Sequence, residues 1–443
     1  MKKLITNDRI GDFYREEEYA LVANPEGMYP AAEILPLAAR NPTPDDLHTV
    51  VSDMDGTATT TENLCLHSLE YMLRKITDRM DPERWKGLDR KSDYPHIIGN
   101  STTRHVEYLL ERYKDPISDN AFAVAFLEAV VWFEHYGKDR QRLDEVRLNC
   151  RMSASQDLLV ELQNCPWSAG PQFLQDQAKK VSLDTPAKKV RAAVDIYYRR
   201  YHEILMAINT NAAVPENAML GEISRDSLIL PMPGLAFFLL LIKGFLDNAD
   251  VLKMLPRLKK DYYEKSGREY RETDETIAAK LYSLSKRFRE KPLRLALVTS
   301  SISYEADIVM RQVFRKMYRD CENWPLKDQK IRHLLTAFRD YRELYDVVVT
   351  ASDSHEIRLK PHRDLYSIAL NRMHVNRENL DAVIGFEDSE SGIVALRAAG
   401  VGCAVALPFH ETEGHDLSAA AHIVKGGLPE VLMQHGCFLR GEN

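Results

Sequence analysis

Hydrophobic and polar positions along the chain change period twice. Residues 1–47 are polar and dotted with proline, and read as an extension ahead of the first core strand. HTVVSDMDGT (48–57) is a short β-branched apolar run that ends in acids and a glycine, the pattern of a buried strand entering a tight loop. From about 65 to 227 the periodicity turns helical. AFAVAFLEAVVWFEHYG (121–137) predicts a strongly apolar helix and TPAKKVRAAVDIYYRRYHEILMAI (185–208) an amphipathic one, with no strand pattern between the helices.

After PMPG (231–234) the period changes again. LRLALVTSS (293–301), YDVVVTASD (345–353), NLDAVIGFEDS (379–389) and VGCAVAL (401–407) predict buried strands, with helical segments at 362–373 and 391–399. Strands and helices in alternation predict an α/β fold with a doubly wound parallel sheet. The expected organisation is an α/β core from 48–64 and 231–443, a large inserted all-helical domain from 65–230, and local helical insertions near 245–290 and 315–340.

Composition fits this picture. A chain of 443 residues exceeds one average domain, and 44% hydrophobic with 28% charged residues suits a globular protein that buries a core without staples. With 59 basic against 66 acidic residues the net charge is -7, which argues against nonspecific nucleic-acid binding. Six cysteines without a C-x-x-C pair read as free thiols of a reducing compartment. The N-terminal MKKLITNDRIGDF has no apolar stretch behind its lysines and is not read as a signal peptide. The longest apolar run, Leu228 to Ile242, is broken by Pro231, Pro233 and Gly234, so no membrane span is expected and the chain is read as cytoplasmic.

Ligands of open parallel sheets bind beyond the carboxyl ends of the strands, and candidate polar residues sit at such ends here. Asp53 and Asp55 lie two apart in a turn, where one carboxylate can stay ionised while the other carries a proton. Gly56 permits the turn and lets backbone N–H groups approach an anionic oxygen. Glu387 and Asp388 add hard oxygen donors of the kind Mg²⁺ takes. Thr299, with Ser300 and Ser301 behind it, offers hydroxyls to a phosphoryl oxygen, and Lys360 would offset the gathered negative charge. Each also has a plain structural explanation when taken alone: turn chemistry for the first acids, helix capping for the acidic pair and for Thr299, a solvated surface group for the lysine.

Together and in order, DMDGT (53–57), LALVTSS (295–301), LKPHRDLY (359–366) and GFEDSESGIVALRAAG (385–400) resemble the haloacid-dehalogenase-like superfamily. The last two look like its β-phosphoglucomutase and phosphoglycolate-phosphatase branch. The resemblance implies a Rossmann-like core with a helical cap, and phosphoryl transfer with Mg²⁺. Asp53 would attack phosphorus and become a phosphoaspartate, and Asp55 would protonate the leaving oxygen and then activate water. Thr299 and Lys360 would hold the phosphoryl group. Asp53, the Asp55 carbonyl and Asp388 would ligate Mg²⁺, with Glu387 as a further or water-mediated ligand. The acid at Asp55 favours phosphoryl chemistry, since dehalogenases and phosphonatases lack it there. In the insertion, IIGNSTTRHVEYLL (97–110) resembles the cap's substrate loop and makes Asn100 and Arg104 candidate substrate contacts, against a plain helix start. Leu359, where glycine often precedes the lysine, and Thr60, where an acid is common, depart from the pattern without removing a catalytic group. The expected activity is a phosphatase acting on a small phosphorylated metabolite. A phosphomutase using the same phosphoaspartate, and a non-catalytic phosphate-binding scaffold, are the rivals.

Overall fold

Residues 11, 18–24, 29–44, 46–79, 83, 85–89, 91–97, 102–167, 171–212, 225–354, 358–408, 412, 414–434 and 436–438 are described by the computed structural model. In chain order the strands are β1 (Glu18–Ala23), β2 (Ala32–Leu37), β3 (Thr49–Asp53), β4 (Thr59–Thr60), β5 (Leu230–Pro231), β6 (Arg294–Val298), β7 (Val347–Val349), β8 (Val383–Glu387), β9 (Cys403–Ala406) and β10 (His422–Ile423). Six of them form one sheet in the order β10-β9-β8-β3-β6-β7, and the pairings are parallel. Every residue of β3, β8 and β9 is buried, as expected of parallel strands covered on both faces. Side chains alternate across the sheet, so Val383 and Val51 join the cluster of Val298, Val349, Leu365, Tyr366 and Leu396 on one face. Phe386 points the other way and meets Phe238 edge-on, with Phe438 and Phe288 beyond. Burying each such ring contributes about 1.5–3 kcal/mol.

The chain divides into two units: Met1–Thr60 with Pro231–Ala306 and Val313–Asn443, and Thr61–Leu230 with Asp307–Gln312. In the sheet-bearing unit, the stretch near 245–290 forms helices Asn248–Ser266 and Asp274–Glu290. The first opens with reciprocal bonds in which Asp247 accepts from Asp250 N–H while Asp250 accepts from Asp247 N–H.

The second unit is helical among its described residues. Its longest helix, Pro186–Asn209, packs against Glu62–Thr77 and Asp119–Tyr136. Thr185 caps it by accepting from Lys188 N–H, and Pro186 sits in the first turn, where its missing N–H costs nothing. Asp119–Tyr136 buries Phe122, Phe126 and Phe133, which explains why its sequence is apolar on nearly every side. No described helix is long and apolar enough to cross a membrane.

The extension ahead of the first core strand holds a feature the pattern did not predict. β1 and β2 pair antiparallel, with Leu21 opposite Ile34, and bury Val22, Leu35 and Leu37 against Ala398. The strands are six residues each, and what they pack on lies some 360 positions along the chain, so local periodicity carries no trace of it.

Candidate active site

β3 ends on Asp53, whose register partner across the sheet is Val298 of β6, while the preceding Ser52 pairs with Phe386 of β8. Three chain segments therefore leave the sheet at one edge: 54–59, 299–301 and 388–389. The first folds back tightly, with Met54 O accepting from Ala58 N–H and Thr59 N–H at 2.9 Å each, and Gly56 N–H reaching Thr59 O at 2.8 Å. Gly56 has φ 81°, a left-handed value at which a side chain would be strained. Met232 N–H donates to Ala58 O, which fixes the loop from the far side of the insertion in sequence.

Lys360, its side chain 7% exposed, lays its amine against Asp53 Oδ1, 2.8 Å from Glu387 Oε1 and 3.2 Å from the Val298 carbonyl. It is no solvated surface lysine. Burial pulls the ammonium down, but the charges of Asp53 and Glu387 outweigh it and hold the amine above its ordinary range. Burial pushes the Asp53 carboxyl well above the usual carboxylate range; Lys360 opposes the rise, and Glu387 and Asp55 add to it.

Glu387 is fixed at both oxygens. Tyr366, fully buried, donates its hydroxyl to Oε1 at 2.5 Å, and its ring centroid lies 5.1 Å from the Lys360 amine. Asp388 N–H and the Ser389 hydroxyl lie 3.3 and 3.4 Å from Oε2. The following helix is capped by Ser389, which accepts from Gly392 N–H at 3.2 Å, so the acidic pair does not serve as its cap. Gly392 is there for room: a Cβ at this position would lie 1.9–2.1 Å from the carboxylate atoms of Glu387.

Asp55 is oriented by hydroxyls. Thr299 Oγ1 and Ser301 Oγ donate to its Oδ2 at 3.2 and 3.1 Å, and Ser301 N–H in turn donates to Thr299 Oγ1 at 2.9 Å. The next helix, Ser303–Cys321, starts at Ile302 without a side-chain cap, so Thr299 is not spent on helix capping. Of the two serines expected behind Thr299, Ser300 is exposed and Ser301 makes the second bond. Arg104 lies exposed on helix Thr102–Arg112 of the helical unit, and Asn100 lies outside the described residues.

One oxygen each of Asp53, Glu387 and Asp388 falls within 4.8 Å of the others, and all three residues are buried. Asp53 Oδ2 is buried without a hydrogen-bond partner. Hard oxygen donors so placed, one of them unsatisfied, fit a small divalent cation such as Mg²⁺. Tyr366 and Gly392 escaped the sequence reading, which did take in Ser301. Their only signal is position within the K-P-x-x-D-x-Y and E-D-S-x-x-G stretches, and their partners appear only on folding.

No protein-family model and no curated protein matches the sequence. Solved structures similar to it include CbbY from Rhodobacter sphaeroides in complex with phosphate, with 14% identity and a TM-score of 0.37 over 87% of this chain and 98% of that one. A β-phosphoglucomutase from Clostridium difficile gives 13% identity and 0.36, over 88% and 96%. A HAD-superfamily hydrolase of subfamily IA from Geobacter sulfurreducens gives 12% and 0.33, over 89% and 98%. Likeness this coarse says nothing of reaction or substrate.

Proposed function

We propose that this chain is a haloacid-dehalogenase-like phosphatase that hydrolyses a small phosphorylated metabolite through a phosphoaspartate at Asp53. The observation that carries the reading is the buried amine of Lys360 resting between Asp53 and Glu387 at the sheet edge, with Asp388 beside them and Asp55 held by Thr299 and Ser301.

In this reading Asp53 attacks phosphorus as the bond to the leaving oxygen breaks, and Asp55 delivers the proton that oxygen needs. Asp55 then takes a proton from the water that attacks the phosphoaspartate, which returns Asp53 as a carboxylate and releases inorganic phosphate. Thr299 and Ser301 keep the Asp55 carboxyl turned correctly for both steps. Lys360 stabilises charge on the transferring group as it develops, in a site where burial strengthens every interaction. Asp53, Asp388 and the Asp55 carbonyl would hold Mg²⁺, with Glu387 as a further or water-mediated ligand; when bound, the ion supplies positive charge to the phosphoryl oxygens.

A panel of phosphorylated sugars and acids with Mg²⁺ tests the proposal. Inorganic phosphate release that Asp53→Asn abolishes is the expected result. Undiminished release by that variant refutes the assignment, and isomerisation of a sugar phosphate without phosphate release replaces it with a mutase.

A further inference from the structure

The loop that carries Lys360 is gripped on both sides by one distant segment. His362, two residues after the lysine, is buried; its Nδ1 lies 3.1 Å from Leu359 O and its Nε2 2.9 Å from Asn24 Oδ1. Asn24 is itself fixed, since its Nδ2 donates to Pro30 O at 2.7 Å and to Glu33 Oε1 at 3.2 Å, which turns the carboxamide oxygen to the imidazole. Arg358, two residues before the lysine, lies 3.3 Å from Glu33 Oε1. Its guanidinium also meets Asp364 at 3.1 and 3.2 Å, the first residue of the helix that bears Tyr366. Asn24 and Glu33 face each other at the closed end of the β1–β2 hairpin, where Asn24 N–H also reaches Ala31 O.

The other end of the hairpin is anchored independently. Arg397, almost fully buried, donates to Glu18 Oε2 at 2.5 Å and to Ala38 O at 3.0 Å. Arg397 belongs to helix Glu390–Ala398, which follows the acidic pair directly. The hairpin thus ties the helix behind Glu387 and Asp388 to the loop that presents Lys360. A flexible four-carbon amine gains catalytic use only when the backbone beneath it is fixed to a fraction of an ångström.

We propose that the paired strands β1 and β2, with Asn24 at their end, are a positioning clamp for Lys360. Asn24 and Glu33, acting through His362 and Arg358, hold the loop so that the amine rests against Asp53 and Glu387. The kinetic consequence rests on the phosphatase reading; the mechanical one does not.

The test compares the wild type with Asn24→Ala, His362→Ala, the Asn24→Ala/His362→Ala double variant, and Ser285→Ala. The last deletes a buried hydrogen bond to Leu246 O, far along the chain from the loop, and serves as the stability control. With p-nitrophenyl phosphate and Mg²⁺, Asn24→Ala is expected to lose about 10–100-fold in kcat while KM moves less than about threefold, since misplacement by about 1 Å costs on that order. The double variant is expected to be no worse than the worse single one, because both break one linkage. Hydrogen exchange across residues 358–363 is expected to quicken about tenfold in Asn24→Ala and to stay unchanged in Ser285→Ala. A wild-type kcat in Asn24→Ala, or additive losses in the double variant, overturns the clamp. If the wild type shows neither turnover nor binding of inorganic phosphate, the phosphatase reading fails, and exchange alone decides: unaltered protection of 358–363 in Asn24→Ala then overturns the clamp.

Discussion

Adding one methyl group at Gly392 is the smallest change that reaches the centre of this site. A Cβ there would lie 1.9 Å from the Glu387 carboxyl carbon. Carbon atoms rest at about 3.5 Å, so the carboxylate has to retreat by about 1.6 Å. An exposed glutamate would swing aside at little cost, but Glu387 is held by the Tyr366 hydroxyl, the Lys360 amine, Asp388 N–H and Ser389. A retreat breaks these bonds and takes Lys360 away from Asp53. Overpacking of this kind costs about 1–3 kcal/mol of stability, while misplacement of about 1 Å among catalytic groups costs about 100-fold in rate. Gly392→Ala is therefore expected to fold, to melt a few degrees lower, and to lose about 100-fold or more in kcat/KM. Its affinity for Mg²⁺, read by calorimetry, should weaken as well. Thermal melting, steady-state kinetics and the metal titration are run on one preparation. Wild-type turnover and metal affinity in a correctly folded Gly392→Ala would refute the claim that Glu387 must stay where it is.

Two further outcomes follow from the same contacts and burial. Tyr366→Phe removes the donor to Glu387 Oε1 while keeping the ring under Lys360; Mg²⁺ affinity measured by calorimetry should fall about 10–100-fold, as partners behind metal ligands do when lost, and unchanged affinity would contradict the ligand role of Glu387. In the helical unit, burial raises Asp195 from 3.8 to about 7 against the opposing bond from Asn149, and its Oδ1 has no partner. The folded state then binds a proton that the unfolded chain has released between about pH 4 and 7, so stability falls as pH rises through that window. The full effect is about 4 kcal/mol at 1.36 kcal/mol per pH unit. Asp195→Asn should raise the urea midpoint at pH 8 and leave it nearly unchanged at pH 4; equal gains at both would disprove the linkage.

The parallel sheet was legible because a strand buried on both faces carries adjacent apolar residues, as Val50–Val51, Leu295–Val298 and Val383–Phe386 do, with polar residues at or just beyond the strand ends. Asp53, Lys360, Glu387 and Asp388 stood out because strand ends gather at one edge of such a sheet. What supports them did not. Tyr366 reads as one more apolar position of an amphipathic helix until folding sets its hydroxyl on Glu387. Ser301 and Ser300 are indistinguishable by type, and only backbone direction decides which one reaches Asp55. The β1–β2 hairpin is invisible for a third reason: its partners, Arg358, His362 and Arg397, lie more than three hundred positions away.

Chemical trapping reaches the centre of the account. The enzyme is mixed with p-nitrophenyl phosphate and Mg²⁺, quenched, and reduced with borohydride, which turns an acyl phosphate into an alcohol. Peptide mass spectrometry should then find homoserine in place of Asp53, and no such product in Asp53→Asn. Steady phosphate release with no modification at Asp53, or with the modification at another carboxylate, would contradict the assignment of Asp53 as the nucleophile.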